Sequence, residues 1–369
     1  MPSIYASEYR RRRPRNERNE DILHRQRGRL RLLLLTLLAF SYPIPARADS
    51  PVLAGVAGPG INLTYAYLAQ DAGLWRKHGL NVKLLLFESG STLAQVARSG
   101  EIKIAINSGP TTIASRAQGA DAIIIASAVN TLPYSLVTVK GITNWDQLRG
   151  KKVGVSRFGS GTDTAIRLVC KKFGFDPAKD LIILQGGTQP TRLQALTVGA
   201  LDATLLSPPL DFIAKKQGLP ILVNIAQLGI PYPQLVIETT DRLNRDNPKL
   251  VKGFLKGFIE AIYYAARFKD ETKKTIMKHL RISDPEILDA TYESFIKVTD
   301  YSAEPNLEGI RNAIEEVALR VPAVKNKKPQ DFVDIRFLKE LQSEKFFKQL
   351  ENPSFYSETA SPARIEVSR

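Results

Sequence analysis

The chain has 369 residues, enough for about two domains, and its 43% apolar and 24% charged content excludes a disordered chain, a collagen and a multi-span membrane protein. A single cysteine, Cys170, excludes an internal disulfide and a multi-cysteine metal site, and three histidines (His24, His78 and His279) argue against one built on imidazoles. The formal charge of +15 suggests nucleic acid until it is located.

Residues 1–48 hold eleven arginines and four acids, whereas the other 321 residues carry 41 bases against 33 acids, scattered along the chain. A nucleic-acid footprint needs a basic stripe with aromatics or a recognisable module, so no nucleic-acid partner is expected. Arginines from Arg10 to Arg31 precede one apolar run, Leu30 to Phe40, interrupted only by Arg31. A spanning helix needs about 20 apolar residues, and this run falls well short. Pro43, Pro45 and then Ala46-Arg47-Ala48, with a small residue at each end of the triplet, complete a secretory signal peptide. Residues 1–48 are expected to be cleaved after Ala48, leaving an exported chain that is not embedded in the membrane. A body of this size buries enough core without disulfides.

The mature chain opens with a strand over 52–57, ended by Gly58-Pro59-Gly60. An apolar face from Tyr65 to Trp75 predicts a helix that Gly79 closes. Strands follow at Val82–Phe87, Ile102–Ile106 and Ala122–Ala128, separated by helices from Thr92 to Arg98 and from Gly109 to Ala117. Strand, Gly/Ser loop, helix, Gly stop and strand recur, which predicts a mostly parallel sheet covered by helices. After an extended run at Leu136–Val139 the grammar restarts. Strands Lys152–Ser156, Leu181–Leu184, Ala203–Leu206 and Pro220–Ala226 alternate with helices over 162–173, 191–198 and up to Lys216. Tyr232–Ile237 is extended again, and from Pro248 to Leu350 the pattern is helical. Two α/β units joined near 136–140 and 234–238 make two lobes with a two-segment hinge and a cleft between them. The expected division is a first lobe over 49–138, a second over 139–234, a largely helical return to the first over 235–350, and a tail over 351–369.

In open sheets of this kind ligands bind beyond the carboxyl ends of strands, often at helix N-termini. Those loops here are Ser89-Gly90-Ser91, Asn107-Ser108-Gly109, Ser156–Thr162 and Ser207-Pro208. In Ser156-Arg157-Phe158-Gly159-Ser160-Gly161-Thr162 the glycines allow close backbone approach and the hydroxyls can cap a helix or meet a ligand. Gly55–Gly60 lacks dinucleotide-fingerprint spacing, and no Gly-Lys-Ser/Thr makes a phosphate loop. Cys170 among Ile166, Leu168 and Val169 reads as core. No catalytic group, metal or cofactor is expected.

Four stretches resemble a known family: Tyr67–Trp75 (YLAQDAGLW) with Gly79–Val82, Gly100–Ala105 (GEIKIA), Leu148–Val155 (LRGKKVGV) and Leu193–Ala203 (LQALTVGALDA). They look like the nitrate/sulfonate/thiamine-precursor group of ABC-importer substrate-binding proteins. The resemblance implies a type II periplasmic-binding fold, two α/β lobes with the helical C-terminal region packed on lobe 1. Such a protein closes over one small-molecule solute and delivers it to an ABC permease and its ATPase. Carried over by position, the ligand residues are Gly58, Pro59, Ser89, Gly90, Ser91, Asn107, Ser108, Ser127, Phe158, Gly159, Ser160, Gly161, Thr162 and Ser207. The expected solute is small and anionic (sulfonate, nitrate or carboxylate-like), or heterocyclic with a polar edge, and the expected carrier is a monomer. The alternatives are an enzyme of thiamine-precursor type on the same fold, whose cysteine and histidine clusters this chain lacks, and a ligand-sensing regulatory module.

Overall fold

The computed structural model describes residues 50–58, 60 and 63–356. The expected signal peptide, Pro59 and residues 357–369 lie outside them. Ten strands form two five-stranded sheets. The first contains β1 (Val52–Ala57), β2 (Val82–Phe87), β3 (Ile104–Asn107), β4 (Ile123–Thr131) and β10 (Pro231–Thr239), in the order β2-β1-β3-β10-β4. The second contains β5 (Ser135–Thr138), β6 (Lys151–Val155), β7 (Leu181–Gln185), β8 (Ala203–Leu206) and β9 (Ile221–Asn224), in the order β7-β6-β8-β5-β9.

Both sheets are mixed and, as expected, mostly parallel: four strands of each run one way and one is reversed. β10 runs antiparallel to β3 and β4, and β5 runs antiparallel to β8 and β9. The reversed strand of each sheet is the one that arrives straight from the other sheet. β5 follows β4 across Leu132-Pro133-Tyr134, and β10 follows β9 across residues 225–230. Neither is preceded by a crossover helix, which a parallel neighbour within one sheet would require. The chain therefore changes sheets a few residues before the joins read from sequence, and Ser135–Thr138 lies in the second sheet, not the first.

The covering helices are α1 (Thr64–Asp71), α2 (Leu74–Lys77), α3 (Gly90–Ala97), α4 (Gly109–Ala117), α5 (Gly161–Lys172), α6 (Gln189–Thr197) and α7 (Leu210–Lys216). The single helix expected up to Trp75 breaks into α1 and α2 because Gly73 adopts φ 67°, a left-handed conformation that suits glycine. After β10 come α8 (Asp241–Asp246), α9 (Pro248–Arg267), α10 (Lys269–Leu280), α11 (Pro285–Lys297), α12 (Leu307–Ala318), α13 (Arg336–Ser343) and α14 (Phe346–Glu351).

α9 packs its buried face, with Phe254, Phe258 and Ile262, on α1 and α2 in the core of the first sheet. Each such side chain contributes about 1.5–3 kcal/mol on full burial. Gly257 lets α9 approach Trp75, since a Cβ there would lie 3.1 Å from the Trp75 backbone. Trp75 Nε1 donates to Phe254 O at 3.1 Å. Three residues beyond Gly257, the buried Glu260 carboxylate meets Lys77 and His78, each at 2.7 Å. His279 pairs with Asp71 at 2.9 Å and stacks on Tyr67. Both described histidines thus have structural partners. Of the expected tail over 351–369, residues 351–356 are described, and Tyr356 is buried in the same core and packs on Phe268. A separate core, including Cys170, holds the second sheet to α5. No helix among the described residues is long and apolar enough to cross a membrane.

Candidate cleft site

A cavity of about 70 Å³ lies where the strand ends of the two sheets face each other. From the first sheet it receives Gly58 after β1, Ser89 and Gly90 after β2, Asn107 at the end of β3 and Ser108 after it. From the second it receives Ser160, Gly161 and Thr162 after β6. These eight belong to the residues expected from sequence. Four helices, α3, α4, α5 and α6, start at its edge. Their free N–H groups and dipoles make its potential positive.

Much of the wall is tied to itself. Ser89 caps α3 by accepting from Thr92 N at 3.2 Å, and Ser160 caps α5 by accepting from Asp163 N at 3.4 Å. Ser156, Ser160 and Thr162 form a hydroxyl triangle with sides of 2.8, 3.0 and 3.1 Å. Ser108 Oγ lies 2.9 Å from Thr111 Oγ1, and its N–H donates to Asn107 Oδ1 at 2.8 Å. Behind Asn107 sits the buried Glu238, hydrogen-bonded by Thr112 and Asn107, with a carboxyl that burial pushes up to about 7.

The two halves touch around this cavity. A Cβ on Gly161 would lie 2.7 Å from Ser108 Oγ and 2.8 Å from Ser108 Cβ. Tyr232 of β10 donates through its hydroxyl to Gly161 O at 2.9 Å, and Thr111 Oγ1 reaches Gly159 O at 3.5 Å. At the rim, Arg320 beyond α12 donates to Thr164 of α5 at 3.0 Å, and Lys171 of α5 bonds Glu316 of α12.

Five expected residues do not line the cavity. β4 runs on to Thr131, so Ser127 is mid-strand rather than at the strand's end. It is fully buried, with Oγ 2.8 Å from Asn130 Oδ1 and 3.1 Å from Leu235 O. Phe158 is half exposed, its N–H held outward by Gln185 Oε1 at 3.0 Å. Gly159 forms the turn beside it, with φ 74° and its N–H donated to Asp163 Oδ2 at 2.9 Å. Ser91 turns to Ser89 Oγ at 3.2 Å. Ser207 stands one layer back, its N–H and hydroxyl held by the Gln189 amide at 2.8 and 3.0 Å. Pro59 lies outside the described residues.

Sequence reasoning missed Glu88, Tyr134, Thr188, Gln189, Arg192 and Gln234, all of which line the cavity. Glu88 is exposed at the edge. Arg192, in the first turn of α6, is 1% exposed. Its Nε donates to Thr204 Oγ1 at 2.9 Å, its Nη1 to Gly187 O at 2.5 Å and its Nη2 to Leu205 O at 3.0 Å. Its stem fits because Gly186 has no side chain; a Cβ there would meet Arg192 Cγ at 2.9 Å. Burial lowers the guanidinium to about 10 and pushes the Tyr134 phenol up to about 12. Gln234 Nε2 donates to the Tyr134 hydroxyl at 2.6 Å, leaving the buried Gln234 Oε1 without a partner. The available signal was Gly186-Gly187-Thr188, a glycine-rich strand-to-helix loop like the others, with an arginine four residues on. No group of three or more His, Cys, Asp or Glu that could hold a metal ion occurs among the described residues.

Comparison with known proteins gives this geometry its relatives. The chain is similar to "Putative binding protein YtlA" of Bacillus subtilis (strain 168), 26% identical over 255 residues, covering 65% of this chain and 74% of that one. It is 25% identical over 215 residues to 4-amino-5-hydroxymethyl-2-methylpyrimidine phosphate synthase THI13 of Saccharomyces cerevisiae, covering 54% of this chain and 62% of that one. Among solved structures it shares its fold with the periplasmic aliphatic sulphonate binding protein SsuA of Escherichia coli (TM-score 0.61, 18% identity, 78% of this chain and 97% of that one). The periplasmic nitrate-binding protein NrtA of Synechocystis PCC 6803 is equally similar (TM-score 0.62, 17% identity, 79% and 88%). The two sheets and the two crossings between them are therefore the periplasmic-binding-protein fold. The family model that describes proteins as NMT1/THI5 like matches residues 61–271, more than half of the sequence, and the chain belongs to that family.

Proposed function

We propose that the chain is the exported solute-binding subunit of an ABC importer. It captures a small solute, anionic or heterocyclic with a polar edge, in the cleft and presents it to a membrane permease driven by an ATPase. The observation that carries this reading is the cavity itself, enclosed by strand-end loops of two sheets that are joined only by two crossing segments. Residues 132–134 and 225–230 are where such halves can hinge. Opening admits solute, and closing surrounds it with helix N-termini and hydroxyls already fixed by their neighbours. Capture of this kind needs no covalent step. The sulphonate and nitrate proteins that share the fold support a small oxyanion as cargo. The likeness to the yeast pyrimidine synthase supports an enzyme as the second reading.

A thermal-shift screen of the purified chain separates the two. The panel holds methanesulfonate, taurine, nitrate, bicarbonate, acetate, benzoate, pyrimidines and aliphatic amines. A captured solute at 100 times its dissociation constant stabilises by about 2.7 kcal/mol. The expected result is one stabilising class, recovered chemically unchanged. Conversion of the stabilising compound, or no stabilisation by any member, overturns the carrier reading.

A further inference from the structure

Arg192 is a buried cation whose acceptors are all neutral. Thr204 Oγ1, Gly187 O and Leu205 O take three of its five N–H groups, and no carboxylate pairs with it among the described residues. A buried charge is costly unless it is paired, and neutral acceptors compensate it only in part. Glu88, the acid that shares the cavity lining, is exposed to water and screened. The interior therefore lacks one negative charge.

The neighbouring groups have the same polarity. The Tyr134 hydroxyl accepts from Gln234 Nε2, and its own proton has no acceptor among the described residues. Gln234 is 6% exposed, and its Oε1 is unpartnered beside the cavity. Turning that amide over lets Tyr134 donate to Oε1 and sends the amide N–H groups towards the cavity. O and N of an amide differ only by such a turn. The turned form would add the amide N–H groups to the two that Arg192 leaves over, beside the same cavity.

We propose that Arg192, with Tyr134 and Gln234 beside it, is the receptor for an anionic group on the captured solute, so that the cleft selects an oxyanion over its neutral isostere. This inference rests on the capture reading and deepens it, because it decides between the anionic and the neutral heterocyclic cargo. It also places charge recognition in the second sheet's α6 rather than in the Ser/Gly loops. The tether through Leu205 and Thr204 fixes the guanidinium before the solute arrives, which reduces the ordering cost of binding.

The test compares isosteres on the purified full chain by titration calorimetry and thermal unfolding at constant ionic strength. The probes are methanesulfonate against methanesulfonamide, acetate against acetamide, and nitrate, with pyrimidines and amines as non-anionic solutes. The expected result is binding by at least one anion, no binding by its neutral partner, and an affinity about 100-fold weaker in Arg192→Met, the effect of two lost charged hydrogen bonds. Arg192→Met also leaves Thr204 Oγ1, Gly187 O and Leu205 O without their donor, so its melting temperature should fall; the readout a purely structural arginine would not move is the preference for anion over neutral isostere, which the variant should lose. If that variant does not fold, Tyr134→Phe carries the test, with about tenfold weaker anion binding and a small fall in melting temperature from the acceptor that Gln234 Nε2 loses. Equal binding of anion and neutral isostere, or of anion to wild type and Arg192→Met, overturns this inference. Binding of pyrimidines or amines without any anion overturns it too and leaves the capture reading standing. Binding by nothing in either set overturns both.

Discussion

Gly161→Ala tests whether the two halves close on each other at the N-termini of α4 and α5. The added Cβ would sit 2.7 Å from Ser108 Oγ and 2.8 Å from Ser108 Cβ. Ordinary contacts between carbon atoms are about 3.5–4.0 Å, so the overlap is roughly 0.8 Å. Ser108 cannot simply swing away, because its Cβ is fixed to a backbone whose N–H is held by Asn107 at 2.8 Å. Relief comes from parting the halves. Overpacking of this size costs about 1–3 kcal/mol. Gly161 opens α5 with no positive φ, and alanine is the better helix former. The folded, open chain should therefore lose nothing, and the whole cost falls on the closed state. Affinity for the anion that stabilises the chain most should drop about 5- to 150-fold, with an unchanged melting temperature for the free protein. Small-angle scattering should show a larger radius of gyration. Adding Ser108→Gly should recover part of the affinity, giving a coupling that two independent sites would lack. Wild-type affinity in Gly161→Ala with an unchanged radius would refute closure at this contact.

Three further outcomes follow from the same structure. Burial raises Glu238 from 4.5 to about 7, so the folded chain keeps a proton that the unfolded chain releases; this stabilisation is complete below about 4.5 and lost as pH rises through about 7. The loss is on the order of 3 kcal/mol, and urea unfolding from pH 5 to pH 8 should show a downward slope that Glu238→Gln reduces; an equal slope in the variant would refute the assignment. Ser160→Ala removes the cap of α5 and one corner of the hydroxyl triangle, and its urea midpoint should reflect about 1 kcal/mol of lost stability; no shift would show that the cap is idle. Cys170 is fully buried, and its thiol is pushed up to about 12 by burial. It should react with an aromatic disulfide reagent only as fast as the chain unfolds, and stoichiometric labelling in native buffer would contradict its place in the core.

The sequence exposed the strand and helix grammar because that grammar is periodic. Ile123 to Ala126 and the face from Phe254 to Ala265 are apolar where the structure is buried. Gly and Ser after strands marked helix starts because a capping hydroxyl and an open backbone are local requirements; Ser89 and Ser160 are caps in the structure. The reversal of β5 and β10 was not local. It depends on which sheet the chain enters next, and Leu132-Pro133-Tyr134 contains nothing that names its destination. Ser127 shows the cost of a boundary error: ending β4 at Ala128 instead of Thr131 turned a mid-strand core serine into a loop-end candidate.

Arg192 was illegible for a different reason. An arginine on a nine-residue helix is ordinarily read as solvent-facing. What reverses that reading is the absence of side chains elsewhere, at Gly186 and at Gly154, where added Cβ atoms would lie 2.9 and 3.3 Å from the arginine stem. Those glycines are 6 and 38 residues away in sequence, and each alone reads as a turn or a strand irregularity. Only the paired strands β6 and β7 bring them to one place. The same argument separates the two kinds of residue at the cleft. Capping serines obey rules that act within a few residues, so sequence finds them whether or not they touch a ligand. Charged residues such as Arg192 are set by space vacated across a sheet. At this site the residues easiest to read are the scaffold of the cavity, and the buried charge beside it is the part that folding had to reveal.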